Sequence, residues 1–181
     1  MTKVICMVGL TGAGKTTIAK TLAQMKGYPM FSVGTLEREI AVKKGYSDIV
    51  EYEKAVGIQD AYISLFPAVV EDLRRLISKT KAIVIEGIYS PHLLEMIENV
   101  FGKENVSLIT IACTRHTRLR RFATRERLTT KYAKNNFRQL ERNKCEAGVN
   151  EILKSRSTLL IKNTGTLVAT LQHIDETLSD V

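Results

Sequence analysis

The chain has 181 residues, 44% hydrophobic and 25% charged, an ordinary globular balance that excludes disordered and fibrous classes. The length suits one domain over residues 1–181 with a sizeable core. The formal net charge is +8, and residues 114–144 carry +9 of it while the other 150 sum to −1. In that segment Arg115, Arg118, Arg120, Arg121, Arg125, Arg127, Lys131, Lys134, Arg138, Arg142 and Lys144 face only Glu126 and Glu141. Such concentration calls for an anionic partner, either phosphates or a nucleic-acid backbone. No apolar run approaches the ~18–20 residues that cross a bilayer. The N-terminal apolar stretch breaks at Gly9 without a cleavage site, so the expectation is a cytoplasmic protein with no membrane partner. Cys6, Cys113 and Cys145 lack metal-ligand spacing, as do His92, His116 and His173. Cys6 and Cys113, inside apolar runs, read as small hydrophobes, and Met7, Met25, Met30 and Met96 as core filler.

Five short apolar runs are expected as strands: Lys3–Val8, Tyr28–Val33, Lys81–Glu86, Val106–Cys113 and Thr158–Lys162. Helical segments alternate with them, which predicts a doubly wound α/β domain with a parallel sheet covered on both faces. Thr17–Met25 continues as a helix after the first strand. Between the second and third runs, Leu36, Ile40 and Val42 open one helix. A longer one follows, with Ala61, Leu65, Val69, Leu73 and Leu76 recurring every three or four residues. Gly45–Gly57 between them is poorer in pattern and is expected as a small flap.

The loop after the first strand carries the chemistry. Gly9-Leu10-Thr11-Gly12-Ala13-Gly14-Lys15-Thr16 matches G-x-x-x-x-G-K-[ST] completely and sits between a strand and a helix. Glycines let backbone N–H groups converge on phosphate oxygens, and the new helix's N-terminus adds partial positive charge. Lys15 reaches the β/γ-phosphates and the Thr16 hydroxyl is a Mg²⁺ ligand in such a loop. Gly9, Thr11, Gly12, Ala13, Gly14, Lys15, Thr16 and Thr17 are therefore the expected cradle for ATP. A GTPase needs an Asn-Lys-x-Asp string, and Asn143-Lys144-Cys145-Glu146 lacks the Asp. Larger ATPases need regions that 181 residues hardly hold. A small phosphotransferase fits best.

Phe31-Ser32-Val33-Gly34-Thr35-Leu36-Glu37-Arg38 resembles the acceptor segment of adenylate kinases. Later segments, Glu141-Arg142-Asn143-Lys144, Gly148-Val149-Asn150-Glu151-Ile152 and Leu160–Leu167, resemble the adenylate-kinase-related, dephospho-coenzyme-A-kinase-like group of small P-loop kinases. The resemblance implies a three-layer P-loop kinase fold with a five-stranded parallel sheet in the order 2-3-1-4-5. It also implies acceptor-binding helices over residues 34–80 and an arginine-rich lid over 115–145. Ser32, Gly34, Gly87 and Tyr89 would line the acceptor site, and Arg38 would grip the acceptor's phosphate with its planar fork. Glu86-Gly87 stands where the family has Asp-Gly, and Tyr89 where an arginine is expected. Glu86 would orient Mg²⁺-bound water, Arg118, Arg125 and Arg142 would be catalytic lid arginines, and Asn163 and Gly165 would lie near the nucleotide base.

By that resemblance the function is transfer of the γ-phosphoryl group of Mg²⁺·ATP to a small phosphorylated acceptor, foremost a nucleoside monophosphate. Such an acceptor is already anionic and needs no general base. A hydroxyl acceptor, as in dephospho-coenzyme A, usually has a carboxylate to take its proton. Dephospho-coenzyme-A kinases carry an aspartate just after the second strand; this chain has Thr35 near there, with Glu37 and Glu39 beyond and Glu86 as the only other well-placed acid. Two other readings stand beside it. One is a nucleic-acid-binding ATPase or polynucleotide kinase, with Tyr132 and Phe137 stacking bases among the charges of 115–144. The other is a nucleotide switch with negligible turnover. Phe137, Leu140, Leu128 and Ala133 also recur at near-helical spacing, which suits burial.

Overall fold

In the computed structural model, residues 2–77, 80–155 and 159–179 are described. The element order is β1 (Lys3–Val8), α1 (Lys15–Lys26), β2 (Met30–Ser32), α2 (Val33–Lys43), α3 (Ile49–Val56), α4 (Ile58–Ile63), α5 (Phe66–Ile77) and β3 (Ala82–Glu86). Then come α6 (Pro91–Phe101), β4 (Val106–Ala112), α7 (Arg115–Arg125), α8 (Thr130–Glu146), α9 (Val149–Ser155), β5 (Leu159–Lys162) and α10 (Leu167–Ser179). Thr158, expected to open the last strand, lies outside the described residues.

The strands pair in parallel in the order β2-β3-β1-β4-β5, as the resemblance implies. Register places Ile5 beside Val84, Met7 beside Ile109 and Phe31 beside Ile85. Side chains alternate across β1. Val4, Cys6 and Val8 pack with Val69 and Leu73 of α5, Leu93 and Ile97 of α6, and Ile152 of α9. Ile5 and Met7 pack on the other face with Ile18 and Leu22 of α1 and Leu171 and Ile174 of α10. Both sheet faces are thus buried, and the carboxyl ends of parallel strands meet along one edge, where ligands bind in open α/β sheets.

The region between β2 and β3 differs from expectation in three ways. The stretch expected as a flap contains α3, whose first turn is closed by Asp48 accepting from the Glu51 N–H at 2.8 Å. Tyr52 of α3 packs with Ala41 and Ala61 in a small satellite core. The longer helix is broken at 64–65 into α4 and α5, because Pro67 is tolerated only in a helix's first turn. In α2 the buried positions are Val33, Glu37 and Ala41, spaced by four, while Val42 is exposed. Met25 is exposed as well, contrary to its reading as filler. Cys6 is buried as expected, whereas Cys113, just past β4, is half-buried.

Candidate nucleotide and acceptor site

The turn from β1 into α1 follows from its glycines. Gly12 has φ 77° and Gly14 φ 100°, left-handed values that L side chains rarely adopt. Space forbids a side chain there too: a Cβ on Gly12 would sit 2.3 Å from the Arg118 carbonyl oxygen, and one on Gly14 2.3 Å from Asn163 Nδ2. The loop is therefore clamped from outside by β4–α7 and by the end of β5. Asn163 Nδ2 donates to the Ala13 carbonyl at 2.7 Å, and Arg121 donates to the same carbonyl at 3.3 Å and to the Asn163 carbonyl at 3.4 Å. Arg118, buried, donates to the Thr11 carbonyl at 3.2 Å, to the Cys113 carbonyl at 3.2 Å and to Glu141 at 2.5 Å.

Lys15 is buried and donates to the Leu10 carbonyl at 3.1 Å. Burial, reinforced by the charge of Lys144, lowers its pKa from the usual 10.5 to about 7. The Thr11 hydroxyl is buried without a hydrogen-bond partner. An unsatisfied hydroxyl and a desolvated lysine in one glycine-rich loop are what a bound polyphosphate would satisfy. Thr16, next in the loop, is exposed at the start of α1. Among the described residues no His, Cys, Asp and Glu cluster could hold a metal ion by itself. A magnesium ion there would need phosphate oxygens and water for most of its ligands.

Beside the loop, at the ends of β2 and β3, lies a second group of candidate residues. Ser32 and Glu86 face each other in register, and Ser32 Oγ donates to Glu86 Oε1 at 2.5 Å. Ser32 also caps α2 by accepting from the Thr35 N–H at 3.3 Å. Gly87 packs against Gly34, where an added Cβ would lie 3.1 Å from the Gly34 nitrogen. Arg38 is exposed and donates to Thr35 Oγ1 at 3.1 Å. The Tyr89 ring lies within cation–π distance of two lysines, with Lys15 Nζ 5.3 Å and Lys144 Nζ 4.5 Å from its centroid. It therefore links the phosphate loop to α8.

Lys144 comes from α8, which is held in place at both ends of the site. Asn143 Nδ2 donates to Glu53 of α3 at 2.5 Å, and Gln139 Nε2 donates to Asn143 Oδ1 at 2.7 Å. Glu141 of the same helix accepts from Arg115 and Arg118. Phe137 is buried against Phe122, ring centroids 5.6 Å apart.

Of the residues named from sequence, Ser32 meets Glu86, Gly34 meets Gly87 and Arg38, and Lys15 meets Tyr89. Arg118 and Asn163 instead brace the phosphate loop. Arg125 is exposed, with its guanidinium on Glu126 and over the Phe122 ring, and its charge is felt at Lys15, Tyr89 and Lys144. Arg142 is exposed on α8, and Gly165 lies in the exposed turn before α10. Lys144, Asn143, Glu53 and Arg121 were not singled out as site residues. The burial of Glu37 was legible in its phase, four residues after Val33 and four before Ala41.

Fold and cradle together define a P-loop protein built on the kinase plan. The chain belongs to the AAA domain family, AAA_18, whose model matches residues 5–155. It is 29% identical over 159 residues to a UPF0200 protein of Methanopyrus kandleri, covering 88% of this chain and 80% of that protein. A UPF0200 protein of Pyrococcus abyssi is 26% identical over 165 residues, covering 88% and 87%. Among solved structures, shikimate kinase from Acinetobacter baumannii in complex with shikimate superposes with TM-score 0.66 at 19% identity, covering 99% of this chain and 94% of that one. A gluconokinase from Sinorhizobium meliloti gives 0.65 at 13% identity, covering 98% and 92%. At those identities the likeness is one of fold.

Proposed function

We propose that the protein transfers the γ-phosphoryl group of Mg²⁺·ATP to a small anionic acceptor, foremost a nucleoside monophosphate, in the cytoplasm. The observation that carries this is the placing of Tyr89, whose ring centroid lies 5.3 Å from the loop lysine Lys15 and 4.5 Å from Lys144 of α8. A donor phosphate on Lys15 and an acceptor's anionic group on Lys144 would then lie close together. Phosphoryl transfer spreads charge over equatorial oxygens, so catalysis is positioning plus cationic stabilisation. Lys15, Lys144, Arg38 and, from the α7 end, Arg125 supply the cations in this reading. Arg118, Arg121 and Asn163 act as positioning residues that hold the loop. When bound, magnesium would neutralise phosphate charge between Thr16 and Glu86. Because Glu86 already accepts from Ser32, a phosphate acceptor, which needs no base, fits more directly than a hydroxyl.

The test is ADP release from Mg²⁺·ATP with each nucleoside monophosphate, dephospho-coenzyme A, shikimate, gluconate and a 5′-hydroxyl oligonucleotide. A monophosphate converted to its diphosphate is the expected result. Stimulation by a hydroxyl compound instead would move Glu86 into the role of base. Silence across the panel with ATP still bound would refute the phosphotransferase. With the active acceptor, Arg38→Ala should raise its KM about 10- to 100-fold, the range for a lost charge-assisted hydrogen bond, while ATP affinity holds. Loss of ATP affinity alone would place Arg38 elsewhere.

A further inference from the structure

Helix α2 holds a group that neither the fold nor phosphoryl transfer requires. Glu37 is only 2% exposed, and its Oε1 has no hydrogen-bond partner. A buried carboxyl with an idle oxygen is destabilising unless something satisfies it. The charged groups that act on it lie on α2, α3 and α8. Lys144, Arg38 and Glu53 act on Glu37, and Glu37 in turn acts on Tyr62 and Tyr89. Tyr62 and Tyr89 pack edge to face, 6.4 Å between centroids. Glu53 is accounted for by Asn143. Lys144 makes no ion pair within 4.0 Å among the described residues. An idle, buried acceptor on α2 thus lies within electrostatic reach of a lysine and an arginine that have no carboxylate partner among the described residues.

We infer that Glu37 is a specificity residue. It takes the N–H or O–H donors of an acceptor whose phosphate or carboxylate is held by Arg38 and Lys144. The acceptor class is therefore an anion carrying an amino-bearing ring or a hydroxylated frame, and bodies without donors are rejected. Rejection follows because they leave the buried carboxyl unsatisfied, a strong source of discrimination. Burial, together with the charge of Glu53, raises the pKa of Glu37 to about 8. A ligand donor would favour its carboxylate form. This inference rests on the phosphotransferase reading.

The experiment uses matched acceptors with Mg²⁺·ATP. Guanosine against inosine monophosphate and cytidine against uridine monophosphate form one arm. Shikimate and gluconate against singly deoxygenated analogues form the other. Wild-type protein should prefer the richer donor of the active pair about 10-fold or more in kcat/KM. Glu37→Leu should bring that preference within about 3-fold, through the acceptor KM. Its melting temperature should stay at or above that of wild type, since it removes an unsatisfied buried carboxyl. Glu37→Gln, which keeps the shape and one acceptor oxygen, should fall between the two and serves if the leucine variant does not fold. Preference retained in both variants, or none in wild type, would overturn the inference and leave the phosphotransferase standing. If wild-type protein turns over no acceptor, both fall.

Discussion

Lys15 shows at single-residue scale how a site built for charge weakens the unliganded fold. Its pKa is held near 7 by burial and by Lys144, against the usual 10.5. Below pH 7 the folded chain carries a buried ammonium. Between pH 7 and 10.5 the unfolded chain binds more protons than the folded one, so the lysine's contribution to stability improves as pH rises. Lys15→Met should therefore raise the denaturation midpoint most below pH 7, with the gain fading towards pH 10.5. The same change should lower turnover about 100- to 1,000-fold, the range for removing one preorganised donor. A variant less stable than wild type at pH 6 would sink this account. The position of Lys15 was readable from the loop pattern alone, because only glycines allow that backbone path. Lys144 was not, since its role depends on which turn of α8 meets Tyr89.

At the scale of elements, α8 joins two parts of the site. Through Glu141 and Arg118 it reaches the Thr11 carbonyl of the phosphate loop, and through Asn143 it reaches Glu53 of α3. Asn143→Ala would leave the buried Glu53 carboxyl without its donor, costing about 1–3 kcal/mol. Glu53→Leu in the same background should recover most of that loss, because the unpaired carboxyl and not the missing amide is the penalty. Denaturant midpoints of the two single variants and the double variant would decide it, and strictly additive losses would refute it. The strands were legible because both faces of a parallel sheet are apolar and each run stands alone between helices, whereas their order came from the resemblance to P-loop kinases. The α3–α4 region was not. Its helices are short, their apolar positions are few, and their docking depends on polar contacts with α8 some 90 positions away in the chain. The string Asn143-Lys144 stood out in the sequence only as an incomplete base-reading motif, and the fold puts it to another use.

Over the whole molecule, the charge surplus of residues 114–144 divides by burial. Arg118 and Lys144 turn inward, whereas Arg120, Arg127, Lys131, Lys134 and Arg138 lie exposed on the α7–α8 hairpin. Tyr132 is 71% exposed beside them, while Phe137, its companion in the base-stacking reading, is buried in the hairpin's own core. With one aromatic ring available instead of two, the outer face is a poorer platform for a nucleic-acid strand. The phosphotransferase reading thus assigns function to the inward cations and to Arg125, and leaves Arg120, Arg127, Lys131, Lys134 and Arg138 to solvation. Reversing Lys131, Lys134 and Arg138 together to glutamate should leave ADP release within about twofold at physiological salt, where the Debye length is about 8 Å. Oligonucleotide binding, measured across a salt series, should be weak in wild type and should not stimulate turnover. A steep log–log fall of binding with salt, lost in the triple variant together with oligonucleotide-stimulated ADP release, would move the function to the outer face. Retained acceptor phosphorylation in the same variant would keep it with the inward cations.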